Sequence, residues 1–182
     1  MPTETLPDTT RRVLLLTTPH SYRTAAFVAA ANRLGIEAIS AVDMPSQLAD
    51  YWNFRLGVDF TAVEQSSQQL VETLADRPVQ AILSLDDSGA FLAARTSQLL
   101  GLPHNAAAAA DAARNKYRMR QLLSAGGVLS PRFHRFFSPP PPNAEALASI
   151  VPVVESEIGY PCVVKPEDLN GSRGVIRANN RD

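Results

Sequence analysis

The most informative part of this sequence reads Gly159-Tyr160-Pro161-Cys162-Val163-Val164-Lys165-Pro166, and it is closely followed by Asn170-Gly171-Ser172-Arg173-Gly174-Val175. An apolar, β-prone run leads up to the lysine, and a second β-prone run begins at the last glycine. Two strands that a short loop joins pair in the antiparallel sense. We therefore predict an antiparallel pair of strands, from Tyr160 to Lys165 and from Gly174 to Ala178.

The loop between these strands has the composition of a phosphate cradle. A lysine is rarely buried, so the Lys165 ammonium must reach a cleft, water or an anion. Gly171 and Gly174 permit unusual backbone angles, and successive backbone N–H groups can then form an anion-binding concavity. Ser172 would add a hydroxyl and Arg173 a charged fork. On local pattern alone, a plain β-hairpin with a lysine at its solvent end fits equally well.

The residues around this pair predict a small α+β unit over residues 106–182. A helix is expected from Asp111 to Ala125, and a strand from Pro131 to Phe137. A proline-rich surface link follows from Ser138 to Pro142. Asn143 is a good N-cap for an amphipathic helix that runs towards Ile158.

The helix predicted from Asp111 to Ala125 carries the second lysine. At ~100° per residue, it presents one apolar stripe and two basic edges. The stripe consists of Met119, Leu122 and Leu123, and the edges pair Arg114 with Arg118 and Lys116 with Arg120. These charges could simply extend into solvent. Alternatively, Lys116 supplies a second cation beside the phosphate cradle, where a point charge favours phosphate.

The first half of the chain alternates strands and helices. Strands are predicted at 13–16, 36–42 and 79–85, with helices after each of them, whereas residues 44–59 give no clear pattern. This order with short connections predicts a parallel sheet with crossover helices over residues 11–105. Residues 1–10 are expected to form a disordered tail.

Polar residues follow two strands of the predicted sheet. Thr17 and Thr18 end the first strand, and Asp86, Asp87 and Ser88 end the third. The carboxyl ends of parallel strands meet at one edge, where open α/β sheets bind ligands. No glycine fingerprint follows the first strand, which argues against a dinucleotide site.

Composition excludes several classes of protein. The 182 residues are 45% hydrophobic and 19% charged, with a net charge of −1, which favours neither a nucleic-acid binder nor a membrane-surface binder. The apolar runs are too short to span a bilayer, and the N-terminus lacks signal-peptide character. One cysteine, Cys162, rules out an internal disulfide, and the spacing of the histidines suggests no metal site. We expect a soluble, cytoplasmic protein.

Several short segments follow one another in a recognisable order. They are 85–88 (LDDS), 100–105 (LGLPHN), 114–120 (RNKYRMR), 127–133 (GVLSPRF), 160–166 (YPCVVKP) and 171–175 (GSRGV). Their order and spacing resemble the N-terminal part of an ATP-grasp enzyme. The most similar group is the carboxylate–amine (amino-acid) ligases, and biotin carboxylase is a more distant relative.

The resemblance implies a Rossmann-like pre-ATP-grasp domain at residues 11–105 and the incomplete first lobe of an ATP-grasp domain at 106–182. Lys116 and Lys165 fall where the family places its two nucleotide-binding lysines. The residues from Gly171 through Ser172 and Arg173 to Gly174 fall on the flexible loop that closes over the phosphates. Residues 86–88 lie where the first domain faces the substrate cleft.

The family's magnesium ligands and most of its acceptor site lie beyond residue 182. We therefore expect a truncated piece, inactive alone, of an enzyme that phosphorylates a carboxylate with ATP and Mg²⁺ and lets an amine attack the acyl-phosphate. A homodimer is compatible with the family. Two other interpretations remain open, namely a non-catalytic nucleotide-binding or regulatory module and a plain α/β interaction domain.

Overall fold

The computed structural model describes residues 10–52, 54–137 and 144–181. Contacts divide the chain into two compact units, Met1–Asp111 and Ala112–Asp182. The division lies within a helix that begins at Ala107, slightly later than the boundary expected after residue 105. Most of the expected N-terminal tail, the proline-rich link and the Asn143 cap lie outside the described residues.

The first unit is built on a four-stranded parallel sheet. Its order is β3-β2-β1-β4, in which β1 pairs with both β2 and β4. The strands are β1 (Arg12–Thr17), β2 (Glu37–Asp43), β3 (Gly57–Val58) and β4 (Ala81–Ser84). The helices are α1 (Thr24–Arg33), α2 (Ser46–Tyr51), α3 (Val63–Leu74) and α4 (Ala90–Leu99), with a 3₁₀ turn at Asp87–Gly89 before α4. The predicted parallel sheet is confirmed.

Helices cover both faces of this sheet, and successive β1 side chains point alternately to one face and the other. Leu14 and Leu16 pack into one cluster with Leu70 of α3 and Leu92 of α4. Val13 and Leu15 belong to the cluster on the other face, with Ala31 of α1. Each fully buried leucine contributes about 2 kcal/mol of transfer free energy, so the uninterrupted apolar run of β1 fixes the centre of the unit.

The segment that gave no clear sequence pattern forms α2 and the edge strand β3. Gly57 is required there, because a Cβ atom would lie 2.7 Å from Ala49 Cβ and 2.8 Å from the Met44 carbonyl oxygen. The aromatic residues of this segment contribute little to the core, and Trp52 remains 62% exposed. A two-residue strand preceded by exposed aromatic residues explains why hydrophobic periodicity predicted no element there.

The second unit contains an antiparallel strand pair, β5 (Cys162–Val164) and β6 (Ile176–Ala178). Cys162 lies opposite Ala178 and Val164 lies opposite Ile176, which confirms the predicted pairing. The helices of this part are α5 (Ala107–Arg114), which crosses the division, α6 (Lys116–Ala125) and α7 (Ala144–Val153), which continues as a π-helical turn at Val154–Ile158.

The prediction of one continuous helix from Asp111 to Ala125 is wrong. Asn115 interrupts it with an extended backbone, φ −114° and ψ 111°, and its side-chain oxygen accepts the Arg118 amide at 2.8 Å. Arg114 therefore ends one helix and Arg118 belongs to the next, so the expected edge of two stacked arginines does not form. The expected apolar stripe is also only half-buried, and Leu122 is 53% exposed.

The predicted strand from Pro131 to Phe137 is wrong as well. This segment is irregular, and the described ladders of this unit pair only β5 with β6. Its β-prone composition was not sufficient to predict a strand, because β-propensity depends on packing against cross-strand neighbours. Side chains hold the segment instead. Arg132 donates to the Ile158 carbonyl at 2.9 Å, and the Tyr117 and Phe133 rings meet edge to face.

Candidate functional site

The first residue of α6, Lys116, is bound to the segment that follows Lys165. The Lys116 amide donates to the Glu167 carbonyl oxygen at 3.0 Å. Its Nζ atom donates to the Leu169 carbonyl oxygen at 2.6 Å and lies 3.4 Å from that of Glu167. Residues far apart in sequence are thus brought to one place.

Asn115 explains how Lys116 comes to lie there. The first amide groups of a helix have no partner within the helix. The Asn115 side chain satisfies the amide of Arg118, and the amide of Lys116 is left to bind Glu167. The cap that breaks the predicted helix therefore also directs Lys116 towards the loop after β5.

Lys165 directly follows β5, and its side chain is exposed. Among the described residues, no hydrogen-bond or ion-pair partner is found for its ammonium. Lys116 and Lys165 are also the only lysines in the sequence. An unpaired ammonium next to a polar loop is available to an anion.

The loop between β5 and β6 has an unusual backbone. Gly171, Ser172 and Gly174 all have positive φ, at 65°, 58° and 67°, and Ser172 is a non-glycine residue in this sparsely populated region. A Cβ atom on Gly174 would lie 2.7 Å from Pro166 Cγ, whereas one on Gly171 would meet nothing within 4 Å. Arg173 folds back, with its Nε atom 3.1 Å from the Asn170 carbonyl oxygen.

A second polar cluster lies in the first unit, at the carboxyl ends of β1 and β4. Asp86 accepts the amide and the hydroxyl of Thr18, both at 3.1 Å, and the hydroxyl of Ser21 at 3.3 Å. Asp87 is exposed. The Ser88 Oγ atom is buried and has no hydrogen-bond partner among the described residues. Asp86 therefore joins two loops, and the exposed Asp87 carboxylate remains available for a ligand.

Arg23 is a cation close to this cluster. Its Nη1 atom lies 3.3 Å from the Leu85 carbonyl oxygen. A hydrogen bond to the Tyr22 hydroxyl is the largest cause that raises the pKa of Arg23, and Asp86 and Asp87 add smaller contributions in the same direction. This guanidinium remains a fixed cation beside the two carboxylates.

The predicted residues therefore fall into two groups. Lys116, Lys165 and the glycine loop belong to the second unit, while residues 86–88 belong to the first. Sequence reasoning missed Glu167 and Leu169 as partners of Lys116, because they accept hydrogen bonds through backbone carbonyl groups, which a pattern of side-chain types does not reveal.

No cluster of three His, Cys, Asp or Glu side chains suitable for a metal occurs in the part of the chain that the structure describes. None of the helices described there has the length and apolar character needed to cross a membrane.

Comparison with known proteins shows that the chain is similar to parts of ligases. No family model matches the sequence. A D-alanine–D-alanine ligase from Synechococcus sp. (strain WH7803) is 35% identical over 68 residues, which are 37% of this chain and 19% of that protein.

Two solved structures share the fold over 94% of this chain. One is an L-amino acid ligase from Bacillus licheniformis, with a TM-score of 0.62 and 22% identity over 40% of its length. The other is a carboxyaminoimidazole ribonucleotide synthase from Aspergillus clavatus complexed with ATP, with a TM-score of 0.63 and 20% identity over 42% of its length.

The chain thus spans less than half the length of these structures, and its match to the curated relative covers about a fifth of that protein. The resemblance to the N-terminal part of ATP-grasp carboxylate–amine ligases is confirmed. The predicted fold class, a Rossmann-like α/β domain followed by a small α+β lobe, is confirmed too.

Proposed function

We propose that this chain is the N-terminal, nucleotide-binding portion of an ATP-dependent carboxylate–amine ligase. The observation that carries the proposal is the 2.6 Å contact from Lys116 Nζ to the Leu169 carbonyl oxygen. It brings Lys116 onto the short segment that connects Lys165 with the glycine loop. The similarity to amino-acid ligases supports the same proposal.

Lys116 and Lys165 bind the phosphates of ATP as point charges, each worth about 1 kcal/mol in water and severalfold more in a partly dried cleft. Backbone N–H groups from Gly171 to Gly174 face the same anion, because a turn conformation can gather successive N–H groups into an anion-binding concavity. The Ser172 hydroxyl donates a further hydrogen bond. On binding, the Arg173 side chain leaves the Asn170 carbonyl oxygen and donates to a phosphate oxygen instead.

The whole protein joins a carboxylate to an amine in two steps. A carboxylate oxygen attacks the γ-phosphorus of ATP, the bond to the β–γ bridging oxygen breaks, and ADP leaves. The amine then attacks the acyl carbon, the carbon–oxygen bond to phosphate breaks, and inorganic phosphate and one proton are released. The two small-molecule substrates lie beside Asp86, Asp87 and Ser88.

Mg²⁺ neutralises the phosphates in such reactions. The described residues do not fit it, since they contain no carboxylate cluster that could hold a metal. We therefore assign its ligands to the remainder of a longer cytoplasmic protein, which is compatible with a homodimer. By itself the present chain binds ATP and transfers no phosphoryl group.

Thermal unfolding with added ATP tests the proposal. A ligand at 100 times its Kd should stabilise the chain by about 2.7 kcal/mol. Lys165→Ala and Lys116→Ala should each abolish most of this gain, whereas Arg177→Ala, which removes an exposed cation from β6, should leave it intact. The absence of any ATP effect, or an equal effect in all variants, would overturn the proposal.

A further inference from the structure

The Arg135 side chain is held between two aromatic rings and a carboxylate. Its guanidinium carbon lies 4.3 Å from the centroid of the Phe137 ring and 5.2 Å from that of Tyr117. Its Nη2 atom lies 2.9 Å from Glu167 Oε2. Arginine suits such a place, because its planar group stacks on rings while its edge donates to an acid.

These contacts join the two segments that carry the lysines. Tyr117 directly follows Lys116, and only Pro166 separates Glu167 from Lys165. The Glu167 carbonyl oxygen also accepts the Lys116 amide. Arg135 therefore touches Tyr117, which adjoins Lys116, and Glu167, which lies two residues after Lys165, although Arg135 itself comes from the irregular segment after α6.

The carboxylate of Glu167 depends on this arginine. The Arg135 and Glu167 side chains are only 37% and 27% exposed, so water screens the pair less than it would at an open surface. The Glu167 Oε1 atom is buried and has no hydrogen-bond partner among the described residues. Loss of Arg135 would leave a partly buried carboxylate without its cation, which costs more than the loss of an exposed pair.

We infer that Arg135 is a positioning residue that sets the place of Lys116 relative to Lys165, and thereby the spacing of the two cations that meet the phosphates of ATP. The inference rests on the proposed function for the ligand, but the positioning itself is a property of the unliganded chain. Arg135 contacts one residue close to each lysine, Tyr117 and Glu167, and is assigned no contact with the nucleotide.

The two lysines of the chain allow a direct test. Uniform ¹³C,¹⁵N-lysine labelling gives one backbone amide signal and one side-chain spin system for each lysine. In Arg135→Gln, hydrogen exchange of the Lys116 amide should accelerate about tenfold, because one hydrogen bond near 1.4 kcal/mol is weakened. Arg181→Gln is the matched control, since it breaks an exposed pair with Glu155 in the same unit.

Two further variants separate positioning from simple loss of stability. Glu167→Gln should accelerate hydrogen exchange of the Lys116 amide as much as Arg135→Gln does. In the double variant, this exchange should be no faster than in either single variant. Arg135→Lys keeps the charge but loses the planar stack on the rings, so it should restore the slow exchange of the Lys116 amide only in part. A Lys116 exchange rate equal to that of the wild type in Arg135→Gln, with melting temperatures matched, would overturn the inference.

ATP titration of the same samples adds the functional readout. Arg135→Gln should weaken ATP binding about tenfold, with the Lys116 side-chain signal moving less than in the wild type on saturation. Wild-type affinity in this variant would refute the assignment to the nucleotide site. If the wild-type chain binds no ATP, the proposed function fails, and the exchange rates of the unliganded chain still decide whether Arg135 positions Lys116.

Discussion

The ammonium of Lys116 donates to the carbonyl oxygen of Leu169 over 2.6 Å, so a cation at the start of one helix is tied to the backbone of a loop after a distant strand. A carbonyl group is a neutral acceptor, and a phosphate oxygen is a stronger, charged one. The contact therefore holds Lys116 beside its proposed ligand without competing strongly with it.

Acylation of amines should distinguish the two lysines. In the unliganded chain Lys165 should react about tenfold faster than Lys116, because its ammonium is exposed while that of Lys116 is held by hydrogen bonds near 1.4 kcal/mol. Saturating ATP should slow both reactions, and adenosine, which lacks phosphates, should not. Peptide mass spectrometry gives the rates at each site. Faster reaction at Lys116 would contradict the contact with Leu169.

Substitution of Gly174 should disturb the loop more than substitution of Gly171. Both residues have positive φ, which costs an alanine about 1 kcal/mol, but only at Gly174 would the new methyl group collide with Pro166. Gly174→Ala should therefore lower the free energy of unfolding by about 1–3 kcal/mol more than Gly171→Ala. Urea denaturation measures the difference, and equal losses in the two variants would count against the collision.

Asp86 should matter for the stability of the first unit. Its carboxylate accepts three hydrogen bonds from Thr18 and Ser21, so Asp86→Ala leaves donors of a neighbouring loop without a partner and should cost about 1–3 kcal/mol. Asp87→Ala removes an exposed carboxylate next to it and should change the free energy of unfolding by less than about 0.5 kcal/mol. Similar melting temperatures for the two variants would refute this difference.

The ion pairs of Glu37 predict that the free energy of unfolding depends on pH. A hydrogen bond from Arg12, followed by the charge of Arg77, lowers the pKa of Glu37 below its usual value. The native carboxylate thus releases its proton more readily than the unfolded one, and the resulting stability is present above the unfolded pKa and lost as the pH falls through the native one.

Urea denaturation of the wild type and Glu37→Gln, from pH ~7 down to ~3, measures this effect. The stability difference between the two proteins should be largest near neutral pH and should shrink as the solution becomes acidic. Asp59, whose pKa is lowered chiefly by the Thr61 hydroxyl, titrates in both proteins and cancels in the difference. A difference that does not change with pH would refute the assignment.

Much of the fold could be predicted because several elements are defined by continuous apolar runs. The residues of β1 have one stable placement, buried between two helical layers, and the spacing of Leu70 and Leu74 defines α3. The break at Asn115 was missed because strong helix formers lie on both sides of it. An Asn followed by helix formers is also an N-cap signal, and the break is favoured both by the Asn115 cap on the Arg118 amide and by the tertiary contact of Lys116 with Glu167.

The candidate site was predicted in a similar way. The residue types at Lys116, Lys165 and the glycine loop indicated anion binding, and the resemblance to ATP-grasp ligases related them to one nucleotide. The contacts of Lys116 with backbone carbonyl groups and the stack on Arg135 could not be predicted. They depend on how an irregular segment folds over α6, and periodicity carries no information about such a segment.

The two-residue strand β3 has a consequence for how the chain behaves in concentrated solution. Exposed edge strands can recruit strands from other molecules and seed aggregation. On β3, however, the Gly57 carbonyl oxygen already accepts hydrogen bonds from Ser46 and Gln69, and both residues of the strand are buried. The Gly57 carbonyl group is therefore occupied by side chains of its own unit and offers no acceptor to a strand from another molecule.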